Sequence, residues 1–146
     1  MRVLFADAVD PSTLEALAEQ GHECDADPSI TADELPDRLA GVEALVVRST
    51  RVTAEAIAAA KDLELIVRAG AGTNTIDVEA ASQLGIYVTN VPGRNAIAVA
   101  ELTIGLLLAI DRRIADNVAD LRAGNWNKSA YGKADGLHGK RLGIVG

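Results

Sequence analysis

At 146 residues the chain is long enough to bury the core of one domain but short for two complete ones. A formal net charge of −7 and a pI near 4.7 exclude a nucleic-acid-binding role, which needs a basic face, and disfavour an anionic membrane surface. Cys24 is the single cysteine, so neither an intrachain disulfide nor a Cys-built metal cluster can form, and a reducing compartment, the cytoplasm, is expected.

Met1-Arg2-Val3-Leu4-Phe5-Ala6-Asp7 reads as a first strand, its apolar run being too short for a signal peptide. Ser12 with Glu15 has capping-box spacing, Leu14, Leu17 and Ala18 give the following helix one apolar face, and Gly21 ends it. His22-Glu23-Cys24 reads as a second strand. Thr31 with Glu34 repeats the box ahead of Leu35 and Leu39, with Pro36 limiting where regular hydrogen bonding starts. Ala44–Val47 is a buried strand ending in Arg48-Ser49-Thr50, and Thr53 caps an Ala-rich helix to Ala60. Leu65-Ile66-Val67, short and unbroken, reads as a strand buried on both faces, followed at once by Arg68-Ala69-Gly70-Ala71-Gly72. Asp77 caps a helix from Val78 to Leu84, Gly85 stops it, and Ile86-Tyr87-Val88 is a further strand. Strands alternating with helices at this spacing predict βαβ units, hence an α/β domain with a parallel sheet.

After the turn Asn90–Arg94, a helical pattern runs from about Asn95 to Arg122, long enough to link two domains, with Gly124 as terminator. Its apolar stretch Ala96 to Ile110 contains Glu101 and falls short of a membrane span. Ile104, Leu107, Leu108 and Ile114 give it more apolar face than a linker needs, so a homo-oligomer, dimer or tetramer, is expected. Asn125 to Gly139 reads as a loop. Residues 140–146 read as a strand running into a first glycine, so the chain is expected to be the front part of a longer protein. The division expected is a substrate-binding domain over 1–94, a linking helix over 95–124, a loop over 125–139, and the first strand of a second domain over 140–146.

Arg48 and Arg68 each end an apolar strand, where open α/β sheets bind ligands, and two guanidiniums there would hold a phosphate or carboxylate. Pairing with surface carboxylates is the plainer alternative for both. Gly70-Ala71-Gly72 is half of a dinucleotide fingerprint, since the position three residues on is Thr75. It makes a tight turn, and the amides of Ala71 and Gly72 could receive a carboxylate. Asn95 starts the long helix, where it either caps free backbone donors or faces an anionic ligand. His22 and His138 are poor catalytic candidates, and no complete catalytic or metal-binding constellation is present.

Taken together, Val47-Arg48-Ser49, the run Arg68 to Asp77 and the run Asn90 to Leu102 resemble the D-isomer-specific 2-hydroxyacid dehydrogenases, in particular members acting on 3-phosphoglycerate. The resemblance implies a flavodoxin-like substrate domain interrupted by a Rossmann domain that binds NAD. It implies that Arg48 and Arg68 contact the phosphate or acid group of the substrate, and the amides of Ala71 and Gly72 its carboxylate. Ala71, Asn95, Val99 and Gly146 would lie along the cofactor, Gly146 as the first glycine of the true fingerprint. Ala71 departs from the Thr common at this position in phosphoglycerate enzymes. The reaction implied is hydride transfer from C2–H of a 2-hydroxy acid to NAD, a step of serine biosynthesis if the substrate is 3-phosphoglycerate. Glyoxylate, hydroxypyruvate and D-lactate are the alternative substrates, and a non-catalytic anion-binding or assembly module is the alternative function. The family's catalytic His, Glu and third Arg have no counterpart in these 146 residues, which by themselves are expected to be inactive.

Overall fold

The computed structural model describes residues 1–145 and contains two compact units, Met1–Arg94 and the residues from Asn95 onward. In the first unit five strands form one parallel sheet: β1 (Arg2–Phe5), β2 (Glu23–Ala26), β3 (Ala44–Val47), β4 (Leu65–Arg68) and β5 (Tyr87–Asn90). Their spatial order is β2-β1-β3-β4-β5, the flavodoxin-like order. Four helices connect them: α1 (Pro11–Glu19), α2 (Leu35–Arg38), α3 (Ala54–Ala59) and α4 (Val78–Gln83). The strand period of two sorts the side chains by face. Leu4, Leu45, Val47 and Ile66 pack with Leu35, Ala56, Ile57 and Ala81 of α2, α3 and α4 and with Leu39 at the end of α2. Val3, Phe5 and Ala44 face the other way, onto Leu14 and Leu17 of α1.

Several local expectations are corrected. The cap of α1 is Asp10, whose Oδ1 accepts from the Ser12 amide at 3.0 Å, and Pro11 takes the first helical position; Ser12 and Glu15 form no box. Proline suits that position because its missing N–H would have had no intrahelical acceptor. Glu34 reaches back to the Thr31 amide at 3.0 Å, half of the anticipated box, yet α2 has only four residues and Glu34 is its N-cap. In β4 only Ile66 is fully buried, Leu65 and Val67 being half-buried, because α1 is the unit's one helix on that face. Strand β5 runs one residue later at its start and two later at its end than expected, through Asn90. Thr53 and Asp77 cap α3 and α4 as anticipated. Gly85, at φ 74°, stops α4 in a left-handed conformation that glycine adopts without strain.

In the second unit the helix expected over 95–122 is divided into α5 (Ala96–Asp111) and α6 (Ile114–Arg122). The break is Arg113, in the left-handed region at φ 49°, a conformation that costs a non-glycine residue about 1–2 kcal/mol. Its guanidinium lies 5.0 Å from the Tyr131 ring centroid and bonds Asp116 at 3.1 Å, contacts that offset this cost. Residues 140–145, expected as a strand, are exposed and unpaired. A strand needs a neighbour for its backbone groups, and no described residue offers one. Among the described residues no helix is long and apolar enough to cross a membrane.

Candidate functional site

The loops at the carboxyl ends of β1, β3, β4 and β5 meet at one edge of the sheet. Val47 and Arg68 are register partners, and the Ala69 amide donates to the Val47 carbonyl at 2.7 Å, so Arg48 and Arg68 leave neighbouring strands at the same level. The anticipated juxtaposition of the two strand ends is therefore present. Neither arginine forms an ion pair among the described residues, so neither is tied to a surface carboxylate. Arg48 is exposed. Arg68 is half-buried, and its Nε is shielded from water with no acceptor. The Arg68 side chain folds back over its own loop: a Cβ at Gly70 would overlap the guanidinium. Gly70 is not in the left-handed region, so the space its missing side chain leaves is what this position requires.

Two residues that the sequence did not mark as functional organise these loops. Asp7, just past β1, accepts through Oδ2 from the successive amides of Arg48, Ser49 and Thr50 at 2.7, 3.0 and 3.0 Å, and Thr50 Oγ1 donates to the Ala6 carbonyl at 3.1 Å. Partial burial pushes the Asp7 carboxyl upward, and the donors from Arg48, Thr50 and Ser49 outweigh it, leaving the pKa below the ordinary Asp value. Asn90, at the end of β5, donates Nδ2–H to the Ala71 carbonyl at 2.6 Å, and the Val91 amide donates to Gly70 O at 2.9 Å. A parallel bridge between Val52 and Ile76 ties the segment after β3 to the segment after β4. The only sequence cue to Asp7 was its place one residue beyond a strand's last apolar position. For Asn90 there was none, because its acceptor lies 19 residues earlier on another strand's loop.

The amides of Ala69 and Gly70 are spent within the loop, on Val47 O and Arg68 O. Those of Ala71 and Gly72, both exposed residues, donate to no protein acceptor among the described residues and are free for an anion. Nearby carboxylates are already engaged: Asp7 holds the β3 loop, and Asp77 caps α4 through the Ala80 amide at 3.0 Å. Arg48 and Arg68 thus stand at this end of the sheet without a carboxylate partner among the described residues. In the second unit, Asn95 sits at the N-cap of α5 but makes no capping bond, so its carboxamide is available, and Val99 is 52% exposed one turn on. Gly146 lies outside the described residues. His22 immediately precedes β2, at the amino-terminal edge of the sheet, and His138 is in an exposed stretch of the second unit. A cleft of about 350 Å³ lined by Val78, Ser82, Ile86 and Tyr87 lies along the outer flank of β5 and carries no charged group. Two arginines without ion-pair partners, rather than enclosure, single out the loop cluster.

Such a cluster, on a sheet of order 2-1-3-4-5, suits an anionic small molecule. Comparison with known proteins identifies the family. The sequence pattern of the D-isomer specific 2-hydroxyacid dehydrogenase catalytic domain matches residues 3–135. The chain is 40% identical over 147 aligned positions to D-3-phosphoglycerate dehydrogenase of Methanocaldococcus jannaschii, covering all of this chain and 28% of that protein. It is 49% identical over 115 residues to hydroxypyruvate reductase of Thermotoga maritima, covering 78% of this chain and 37% of that one. The structure of NAD⁺-bound 3-phosphoglycerate dehydrogenase from Entamoeba histolytica superposes with a TM-score of 0.69 at 32% identity, over 77% of this chain and 39% of that one. The chain therefore spans between about a quarter and two fifths of the length of these relatives. A match over most of its residues, on the sheet order and loop cluster described, makes this chain a member of the D-isomer specific 2-hydroxyacid dehydrogenase family.

Proposed function

We propose that the full-length protein is an NAD-dependent oxidoreductase that converts D-3-phosphoglycerate to 3-phosphohydroxypyruvate, as in serine biosynthesis, and that residues 1–94 supply much of its substrate-binding domain. The observation that carries this reading is the pair of arginines without ion-pair partners on adjacent strand ends, beside the free amides of Ala71 and Gly72. Arg48 and Arg68 hold the phosphate or acid group, where planar guanidiniums can bind two oxygens at once. The amides of Ala71 and Gly72 receive the C1 carboxylate, which fixes C2 relative to the strand ends. Ala71 has no hydroxyl to add a side-chain contact, so selectivity rests on the arginines.

Asn95, with its unused carboxamide at the amino end of a 16-residue helix, and the exposed Val99 are suited to an anionic cofactor with an apolar ring. In this reading they lie along NAD, with Ala71 and Gly146. NAD, when bound, supplies the acceptor for the hydride leaving C2. The proton of the C2 hydroxyl needs a base, and the loops at the carboxyl ends of the strands hold no histidine; in this reading the base, its Glu partner and a third Arg are supplied by other parts of the full-length protein.

The test is kcat/KM of the full-length protein carrying Arg48→Ala or Arg68→Ala, with 3-phosphoglycerate compared against D-glycerate. A charge-assisted hydrogen bond contributes about 1.5–3 kcal/mol, so each variant should lose roughly one to two orders of magnitude with the phosphorylated substrate and much less with the other. An equal fall with both substrates would mean that the arginines hold the carboxylate or the fold, and no fall would make them surface charges. The second reading, a glyoxylate or hydroxypyruvate reductase, is favoured by the 49% identity to the Thermotoga maritima enzyme, and the same comparison of substrates separates the two.

A further inference from the structure

We propose that Asp7 is a positioning residue for Arg48: its carboxylate fixes the backbone of the loop after β3 so that the Arg48 guanidinium, and not the loop's amides, is what meets the substrate's distal anion. This rests on the reading of Arg48 given above. Three successive N–H groups converging on one oxygen form a concavity that would otherwise attract a free anion. Asp7 fills it permanently. The phosphate of a substrate is thereby excluded from the backbone of Arg48-Ser49-Thr50 and left to the side chain.

The arrangement is reinforced from both sides. The Ala6 amide donates to the Val46 carbonyl at 3.1 Å and the Thr50 hydroxyl returns to the Ala6 carbonyl, so the residue next to Asp7 is joined to the chain on each side of Arg48-Ser49. Asp7 does not pair with the Arg48 guanidinium, although it bonds the same residue's amide at 2.7 Å. A loop-capping carboxylate with no further role would leave the side chain of the residue it caps without consequence. Here that residue is one of two strand-end arginines in register.

Two measurements on the full-length protein decide it. In the wild type, hydrogen exchange should find the amides of Arg48, Ser49 and Thr50 protected, although Arg48 and Ser49 are exposed; free exchange at all three would overturn the proposal without any variant being made. In kinetics, Asp7→Asn removes the charge and keeps the shape. It should raise KM for 3-phosphoglycerate about five- to tenfold with a much smaller change in kcat, since charge-assisted bonds are roughly twice as strong as neutral ones. Added to Arg48→Ala, the same change should raise KM no further, because nothing is left to position. Independent, multiplying effects would show a merely structural role, and an unchanged KM in Asp7→Asn would equally end the idea. If Arg48→Ala itself leaves KM for 3-phosphoglycerate unaltered, it is the phosphate reading that fails, and the positioning role goes with it.

Discussion

At the scale of single residues, the site depends on which backbone and side-chain groups are already spent. Asp7 and Asp77 are occupied by amides, the amides of Ala69 and Gly70 by carbonyls, and the groups left without a partner include the Arg48 guanidinium and the amides of Ala71 and Gly72. Gly70 belongs to the same account. A methyl group there would overlap the Arg68 guanidinium, the far end of a flexible side chain, so the chain can relax by moving Arg68 and leaving the fold alone. Gly70→Ala should therefore leave the melting temperature within a few degrees of wild type while raising KM for the phosphorylated substrate about tenfold, an outcome that thermal melts and steady-state kinetics on one preparation can check.

At the scale of elements, short pieces are held by side chains that reach back to their own ends. Helix α2 has one turn, and the segment leading from β2 into it is fastened by Asp27, which accepts from the Ser29 hydroxyl, from Arg38 Nη1 at 2.6 Å and from the Ser29 amide at 3.1 Å. These donors, the Ser29 hydroxyl first and Arg38 second, hold the Asp27 carboxyl down at about 2. A depressed carboxyl pKa contributes stability above the unfolded value of about 3.9 and loses it as the pH falls toward 2. A carboxyl-resolved NMR titration should place Asp27 near 2, and Ser29→Ala should move it up further than Arg38→Ala. Both side chains keep contact with water, so salt will weaken the Arg38 share.

At the scale of the whole molecule, charge is distributed unevenly along the chain. Residues 1–43 hold eleven Asp and Glu against Arg2 and Arg38, whereas the remainder is slightly basic. The acidic share lies on α1, β2, α2 and the turns beside them, while the loop after β3 and the end of β4 carry Arg48, Arg51 and Arg68, an arrangement that favours arrival of anions at that end. The second unit leaves α5 apolar on all sides, with Ile97, Leu102, Leu106 and Ile110 each more than half exposed. Contiguous apolar side chains of this kind mark an association surface, and we propose a second copy as its covering. Sedimentation of the full-length protein should show a dimer or tetramer at micromolar concentration, and Leu106→Glu with Ile110→Glu should shift it toward monomer. A strictly monomeric wild type would contradict this.

Much of this protein was determined by local sequence. Apolar runs of three or four residues, the caps Thr53 and Asp77, and glycine at position 85 specify βαβ units because each acts through neighbours a few positions away. Arg48 and Arg68 were legible for the same reason, as charges ending buried strands. The tertiary structure alone decided what those charges face. Strand order put Val47 beside Arg68, and it brought Asp7 to the amides of residues 41 to 43 positions away and Asn90 to a carbonyl on another loop. Hydrogen bonds of that span leave no periodic trace, since each depends on one donor and one acceptor meeting through the whole sheet. The same holds for Arg113, where a helical pattern continues unbroken in sequence but a ring and a carboxylate fix a left-handed residue and divide the helix.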